Sequence, residues 1–253
     1  MSRSSTTMFK NEFYDGQFVR SFYLPNSGTC DLGEVFETGR AIADTEVSPG
    51  GWYTGWNDRA RSVEQAIASL DAKADLTDRR GAWLRASEYY RQAYFFLRHD
   101  LSDTRLIDAH ASHVRCFEQA LPLMECSVTP GRVPFETNTL AAYFFAPDTS
   151  GSPRPTLIFP SGYDSTAQEG WKNAQVAIAH GYNALTFEGP GQGASLIVDR
   201  LTFRPDFSSV LAPVIDWLLT LPGVDPTKLV LVGRSFAGYL APQAATREHR
   251  IAA

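Results

Sequence analysis

Apolar residues follow two different rhythms along this chain, and the rhythm changes near residue 123. From about 32 to 121 they recur at helical spacing. The stretch 60–74 carries Val63, Ile67 and Leu70, and 77–99 carries Trp83, Leu84, Tyr90, Ala93, Tyr94 and Leu97. The stretch 104–121 carries Leu106, Ala109, Val114, Phe117 and Leu121. Each pattern predicts a helix with one buried stripe. Asp103 or Thr104 stands where the last of them needs an N-cap, and Pro122 ends it because proline cannot continue the hydrogen-bond ladder. Pro49-Gly50-Gly51 predicts a loop inside this half.

Beyond Pro122, short β-type runs alternate with helical ones. Residues 125–128 and 140–145 predict a strand pair around Pro130-Gly131. Strands follow at 156–159, 183–187 and 228–232, and helices at 168–180, 208–221 and 236–246, each punctuated by glycine or proline. Repeated strand–helix units imply a mainly parallel sheet covered on both faces, since parallel neighbours need crossover connections. The expected fold class is α/β, with a helical domain over 1–122 and a strand–helix domain over 123–253.

Composition narrows the function without naming it. The chain has 253 residues, 43% of them hydrophobic, enough for a large core. The 28 acidic and 23 basic residues leave a formal charge of −5, with no Lys/Arg run. Nothing here is an electrostatic footprint for nucleic acid or an anionic membrane. No apolar stretch approaches the roughly 20 residues of a spanning helix, and the opening residues offer no apolar core of a signal peptide. Cys30, Cys116 and Cys126 are an odd number without a CxxC pair, which fits reduced thiols in a cytoplasmic protein better than disulfides or zinc. No metal and no cofactor is expected. A homodimer is left open.

The strongest chemical signal is Lys228-Leu229-Val230-Leu231-Val232-Gly233-Arg234-Ser235-Phe236-Ala237-Gly238. It places a serine at the bend between a buried strand and a helix, the arrangement written G-x-S-x-G, with Ala237 in place of the second glycine. Small residues two before and two after let strand and helix approach closely, exposing the Ser235 hydroxyl as a nucleophile. The helix N-terminus then faces any developing oxyanion. A second strand end, Thr156-Leu157-Ile158-Phe159-Pro160, runs into Ser161-Gly162-Tyr163-Asp164-Ser165. There Gly162 leaves room for a substrate carbonyl, and the N–H groups of Tyr163 and Phe236 are the candidate oxyanion donors.

Phe187-Glu188-Gly189-Pro190-Gly191-Gln192-Gly193-Ala194 is the third feature. Its glycines fit a nucleotide fingerprint in spacing, but Pro190 and the nearby Arg204-Pro205 leave no room for a full helix, so no dinucleotide is expected. Glu188, Gly189 and Gly191 read instead as a tight loop at an active-site rim. His110 and His113, three apart on one helical face, read as a core or solvated pair rather than a base or metal site. His249 lies beyond the far end of the Ser235 helix, ~15 Å from the hydroxyl at 1.5 Å per residue, and is unsuited to be the base.

These three motifs, in this order, resemble α/β-hydrolases with an N-terminal helical cap. That group includes 2,6-dihydroxypseudooxynicotine hydrolase and the fungal polyketide-shortening and polyketide-pathway hydrolases. Gly50-Gly51-Trp52-Tyr53 and Arg85-Ala86-Ser87-Glu88-Tyr89-Tyr90-Arg91 resemble its cap. The family turn more often begins with Asp where this chain has Glu188. The resemblance implies an α/β-hydrolase core behind a helical cap, and a serine hydrolase acting on a small-molecule carbonyl compound. The bond cut would be an ester or a C–C bond next to a ketone, in secondary-metabolite or aromatic catabolism. Trp52, Tyr53 and Trp56 are either pocket lining or ordinary packing. Triad acid and histidine follow the serine in this family, and the sequence stops 18 residues past Ser235 with neither in place. The expectation is therefore an incomplete core whose last residues open a further strand, and poor stability for the chain alone. Two alternatives stay open: a non-catalytic protein of the same fold binding a hydrophobic small molecule, and an acyltransferase or cyclase using the same serine.

Overall fold

The computed structural model describes residues 7–45, 47–70 and 75–253. These form two units, 1–123 and 124–253.

The first unit is helical. Helices α1 (Glu12–Arg20), α2 (Leu32–Ala43), α3 (Pro49–Ser69), α4 (Leu76–Ala93) and α5 (Thr104–Ala120) follow one another with short 3₁₀ turns between them. Side-chain caps start them: Asn11 accepts from Phe13 and Tyr14, Asp31 from Glu34, and Asp103 from Arg105. The expected loop at Pro49-Gly50-Gly51 is instead the first turn of α3. Ser48 accepts from the Gly51 N–H and Pro49 occupies a position where its missing N–H costs nothing, so these residues begin a helix rather than interrupt one. The expected helix 60–74 is the second half of α3, and positions 71–74 lie outside the described residues. Nothing in the helical pattern announced α1.

Trp52 and Trp56 are fully buried in this unit's core with Phe9, Phe18 and Tyr89. The Trp52 indole donates to the Gln92 carbonyl at 2.7 Å. They are packing, not pocket lining. A polar seam runs through the same core. Arg91 grips Glu88 (Nη2–Oε1 2.8 Å), and Gln92 bridges Glu88, Ser21 and Gln17. His113 bonds Ser87, and burial drops His110 to about 3, keeping it neutral. Burial pushes the Cys30 and Cys116 thiols up to about 12.

The second unit is built on strands β1 (Ser127–Phe135), β2 (Asn138–Ala146), β3 (Arg154–Pro160), β4 (Asn183–Phe187) and β5 (Val224–Leu231), in the order β1-β2-β4-β3-β5. The sheet is mixed. β1 pairs antiparallel with β2, and β2 with β4, while β3 runs parallel to both β4 and β5. Parallel pairing is confined to the strands joined through helices: α6 (Trp171–Ala179) between β3 and β4, and α7 (Gly193–Ile197) and α8 (Ser208–Leu218) between β4 and β5.

The hairpin does not turn at Pro130-Gly131 as expected. Both residues lie inside β1, opposite Tyr143 and Ala142, and the chain reverses at Glu136-Thr137 with Glu136 at φ 52°. Proline is tolerated there because β1 is the sheet edge, where half the amide groups need no strand partner. Strand β2 is buried on both faces, Leu140 and Phe144 joining the core under α8 while Phe145 packs on Trp171 of α6.

Helix α9 (Ala237–Ala245) follows β5. Ala252 and Ala253 then bond to the outer edge of β5, through Ala252 N–H to the Leu229 carbonyl and Leu231 N–H to the Ala253 carbonyl, both 2.8 Å. Among the described residues, no helix is long and apolar enough to cross a membrane.

Candidate active site

The crossover from β3 leads to β4 on one side, and the next leads back across to β5 on the other. In such a sheet the carboxyl ends of the two strands flanking the reversal open a crevice that helices do not cover. Here those ends belong to β3 and β5, and the loops leaving them carry Gly162 and Ser235.

At the end of β5, Val232 still bonds to β3 through the Ile158 carbonyl at 2.8 Å. The chain then reverses within a few residues, with Ala237 N–H bonding Arg234 and Gly238 N–H bonding Ser235. So sharp a bend forces Ser235 into the left-handed region at φ 58°, one of three non-glycine residues so placed among those described. Ser235 is exposed, and its hydroxyl makes no hydrogen bond among the described residues. Such strain is tolerated only where the surrounding turn over-determines it. Gly233 is the reason the turn closes: a Cβ at this position would collide with the Ala237 carbonyl. Ala237 itself is fully buried, so the alanine that replaces the usual glycine fits.

The β3 loop abuts this turn. A Cβ on Gly162 would sit 3.5 Å from both the Ser235 Cβ and the Arg234 carbonyl oxygen. Gly162 N–H is taken by the Ser165 hydroxyl at 2.6 Å. Neither the Tyr163 nor the Phe236 N–H has a partner in the hydrogen bonds of the described residues. Two free N–H groups and an exposed hydroxyl thus lie on touching turns, with the N-terminus of nine-residue α9 directly behind.

Glu188 is fully buried at the end of β4. Its two oxygens accept from Ala167 (3.0 Å) and Ala194 (2.7 Å). Burial nonetheless pushes its carboxyl up to about 7, with Glu169 adding and Arg132 opposing. Gly189 gives its N–H to the Gln192 side chain at 2.7 Å, and Gly191 gives its own to the Leu201 carbonyl at 2.9 Å. Only the five-residue α7 follows this turn, so a dinucleotide-type helix is absent from the segment.

Sequence reasoning missed a shelf of four rings. Tyr163 stacks on Phe203 (5.6 Å, 13°), Phe236 stacks on Tyr239 (5.8 Å, 23°), and Phe203 meets Phe236 edge-on at 5.0 Å. Tyr163 and Tyr239 are 64% and 63% exposed. Tyr239 was legible as the residue one helical turn beyond the serine; Phe203 had no signal, since a loop brings it there. Among the described residues, no histidine bonds the Ser235 hydroxyl, and no cluster of three His, Cys, Asp or Glu could hold a metal ion.

Comparison with known proteins adds to this geometry. Residues 137–253 match the family model described as X-Pro dipeptidyl-peptidase (S15 family). The chain is 32% identical to Hydrolyase poxO of Penicillium oxalicum, over 94% of this chain and 58% of that protein. It is 28% identical to 20-hydroxy-prefusarin hydrolase FUS2 of Gibberella moniliformis, with the same 94% and 58% coverage. Among solved structures it is similar to 2,6-dihydroxy-pseudo-oxynicotine hydrolase, with a TM-score of 0.77 and 20% identity over 91% of this chain and 62% of that one. The chain therefore spans less than two thirds of the length of each of these proteins.

Proposed function

The chain has the α/β-hydrolase fold and is a relative of fungal hydrolases, and on that premise we propose that it supplies the nucleophile and oxyanion hole for serine-dependent hydrolysis of a small carbonyl compound. Ser235 Oγ attacks the carbonyl carbon, and the carbonyl π electrons move onto oxygen. That oxygen accepts from the Tyr163 and Phe236 N–H groups, neither of which has another partner among the described residues, so no bond within the protein need break as charge develops. A general base takes the serine proton and returns it to the leaving group, an alkoxide or the enolate of a cleaved C–C bond. Water then resolves the acyl-enzyme. The resemblance implies that the base is a histidine oriented by an acid.

The single observation that carries the reading is the left-handed Ser235 on a strand–turn–helix bend, touching a loop with a free N–H. The exposed faces of Tyr163 and Tyr239 favour a substrate with a planar ring or conjugated system, because flat π-systems stack on such rings at little entropic cost. That fits a secondary-metabolite or aromatic catabolic compound. A cytoplasmic location is part of this reading, supported by Cys30, Cys116 and Cys126 standing as free thiols rather than disulfides.

The test is fluorophosphonate labelling of the 253-residue chain and of the longest reading frame that contains it, each beside Ser235→Ala. Labelling lost in the alanine variant is the expected result. Folded protein that never labels at Ser235 would replace this reading with small-molecule binding.

A further inference from the structure

The loop that carries Gly162 and Tyr163 is bonded along its length: Ser161 N–H to the Phe187 carbonyl at its start, Gly162 N–H to Ser165 within it and Thr166 N–H to the Glu169 carboxylate toward its end, while the Tyr163 ring stacks on Phe203. A catalytic N–H must be held within a fraction of an ångström of its working position.

Two side chains from the turn after β4 reach across to this loop, one at each end. At the near end, the Gln192 amide donates through Nε2 to the Ser161 carbonyl, while its oxygen accepts from Gly189 within its own turn at 2.7 Å. At the far end, Glu188 accepts the Ala167 N–H at 3.0 Å, while its other oxygen accepts Ala194 N–H at 2.7 Å. Both side chains are essentially buried, Gln192 at 1% and Glu188 at 0% exposure, so water cannot replace these bonds cheaply. Gly193 makes the second clamp possible, since a Cβ there would overlap the Glu188 carboxylate. Each residue spends one polar atom on its own turn and one on the loop, so the two turns are fixed as one body.

We propose that Glu188 and Gln192 are positioning residues that clamp residues 161–167 at both ends and thereby hold the Tyr163 N–H in register with Ser235. This rests on the hydrolase reading for its purpose, though not for its geometry. Neither residue touches the reacting atoms. A glutamate at the end of β4 is needed because its reach spans two N–H groups on different segments. Glutamine at 192 is needed because one end must donate and the other accept.

Amide hydrogen exchange on the intact 253-residue chain tests the clamp without requiring activity. In the wild type, Ala167 and Ala194 amides should exchange at least a hundredfold more slowly than Tyr163. Equal rates at the three would overturn the clamp with no variant made. Gln192→Glu keeps the acceptor for Gly189 but loses the donor to Ser161, and should speed exchange at the bonded loop amides of Gly162 and Thr166 about tenfold while α3–α5 and β2 stay unchanged. Glu188→Gln presents an amide nitrogen to one of the two N–H groups, and should do the same at Ala167 or Ala194. Unchanged loop exchange in both folded variants would sink the proposal.

Fluorophosphonate labelling separates the clamp from the function it serves. If the wild type labels, Gln192→Glu should lower the labelling rate constant about tenfold with the reagent's apparent affinity unchanged. Loosened exchange with undiminished labelling removes the positioning role. Protected Ala167 in a wild type that never labels leaves the clamp standing and removes the hydrolase reading instead.

Discussion

Two of the buried glutamates, Glu88 in one unit and Glu188 in the other, are treated in opposite ways. Glu88, in the helical unit, faces the guanidinium of Arg91, a cation one helical turn away, with a further donor from Gln92. Glu188, in the strand unit, faces backbone N–H groups, and burial lifts its carboxyl to about 7. The first arrangement neutralises charge with charge and fixes how helices pack. The second stitches two turns beside Ser235 and leaves a titrating group inside the fold. The same contrast runs through the neighbours. Trp52 and Trp56 of the helical unit are sealed in, while Tyr163 and Tyr239 beside Ser235 are nearly two-thirds exposed.

Breaking the helical partner should have the largest effect on stability. Arg91→Leu leaves Glu88 buried without its cation and should cost about 3–5 kcal/mol in denaturant unfolding. Adding Glu88→Leu should restore part of that loss, because the pair then disappears together with its desolvation cost. No restoration would mean that Gln92 and its partners, not the ion pair, carry the seam.

The strand-unit glutamate makes a smaller, pH-dependent difference. Its carboxyl stays protonated in the fold up to about 7 but ionises near 4.5 when unfolded. Between those values the unfolded chain has released a proton that the fold retains, so stability should fall as pH rises from about 4.5 to 7 and then level off. The full drop amounts to about 3 kcal/mol. Glu188→Gln removes this slope, and a wild-type profile flat across the same window would show that the two N–H bonds outweigh burial.

Ser235→Gly should stabilise the protein by about 1 kcal/mol, because glycine adopts φ 58° without strain. It should also abolish Ser235-dependent labelling, which sets stability against function at one atom. A loss of stability would deny that the bend is strained. At the small end, Tyr239→Ala should move unfolding by less than about 0.5 kcal/mol, as expected for an exposed side chain. A shift of several times that would make the ring part of the core rather than a surface for substrate.

Local chemistry announced a good deal of this. The G-x-S-x-A bend was legible because only small residues fit at 233 and 237, and the strand at 183–187 because five apolar-to-neutral residues are bounded by Gly181 and Gly189. The failures also have local causes. Pro49-Gly50-Gly51 carried turn residues but had a capping serine just before it, and Pro130 looked like a turn because its edge position was unknown. Glu188 and Gln192 were visible as the polar members of a glycine turn, yet their partners lie 21 and 31 residues away. A reader of one dimension has no means of knowing what a side chain reaches.

The sequence by itself determined the alternation of helical and strand rhythms, the bend at Ser235 and the turns after β3 and β4. Spacing, glycine and proline act over a few residues, and these features depend on nothing further away. Only the tertiary structure decided which strand ends become neighbours, that Gly162 lies against Ser235, and that Glu188 is buried with N–H partners while Glu88 is buried with a cation. Those outcomes depend on strand order and burial, which the chain fixes only when its distant parts pack together.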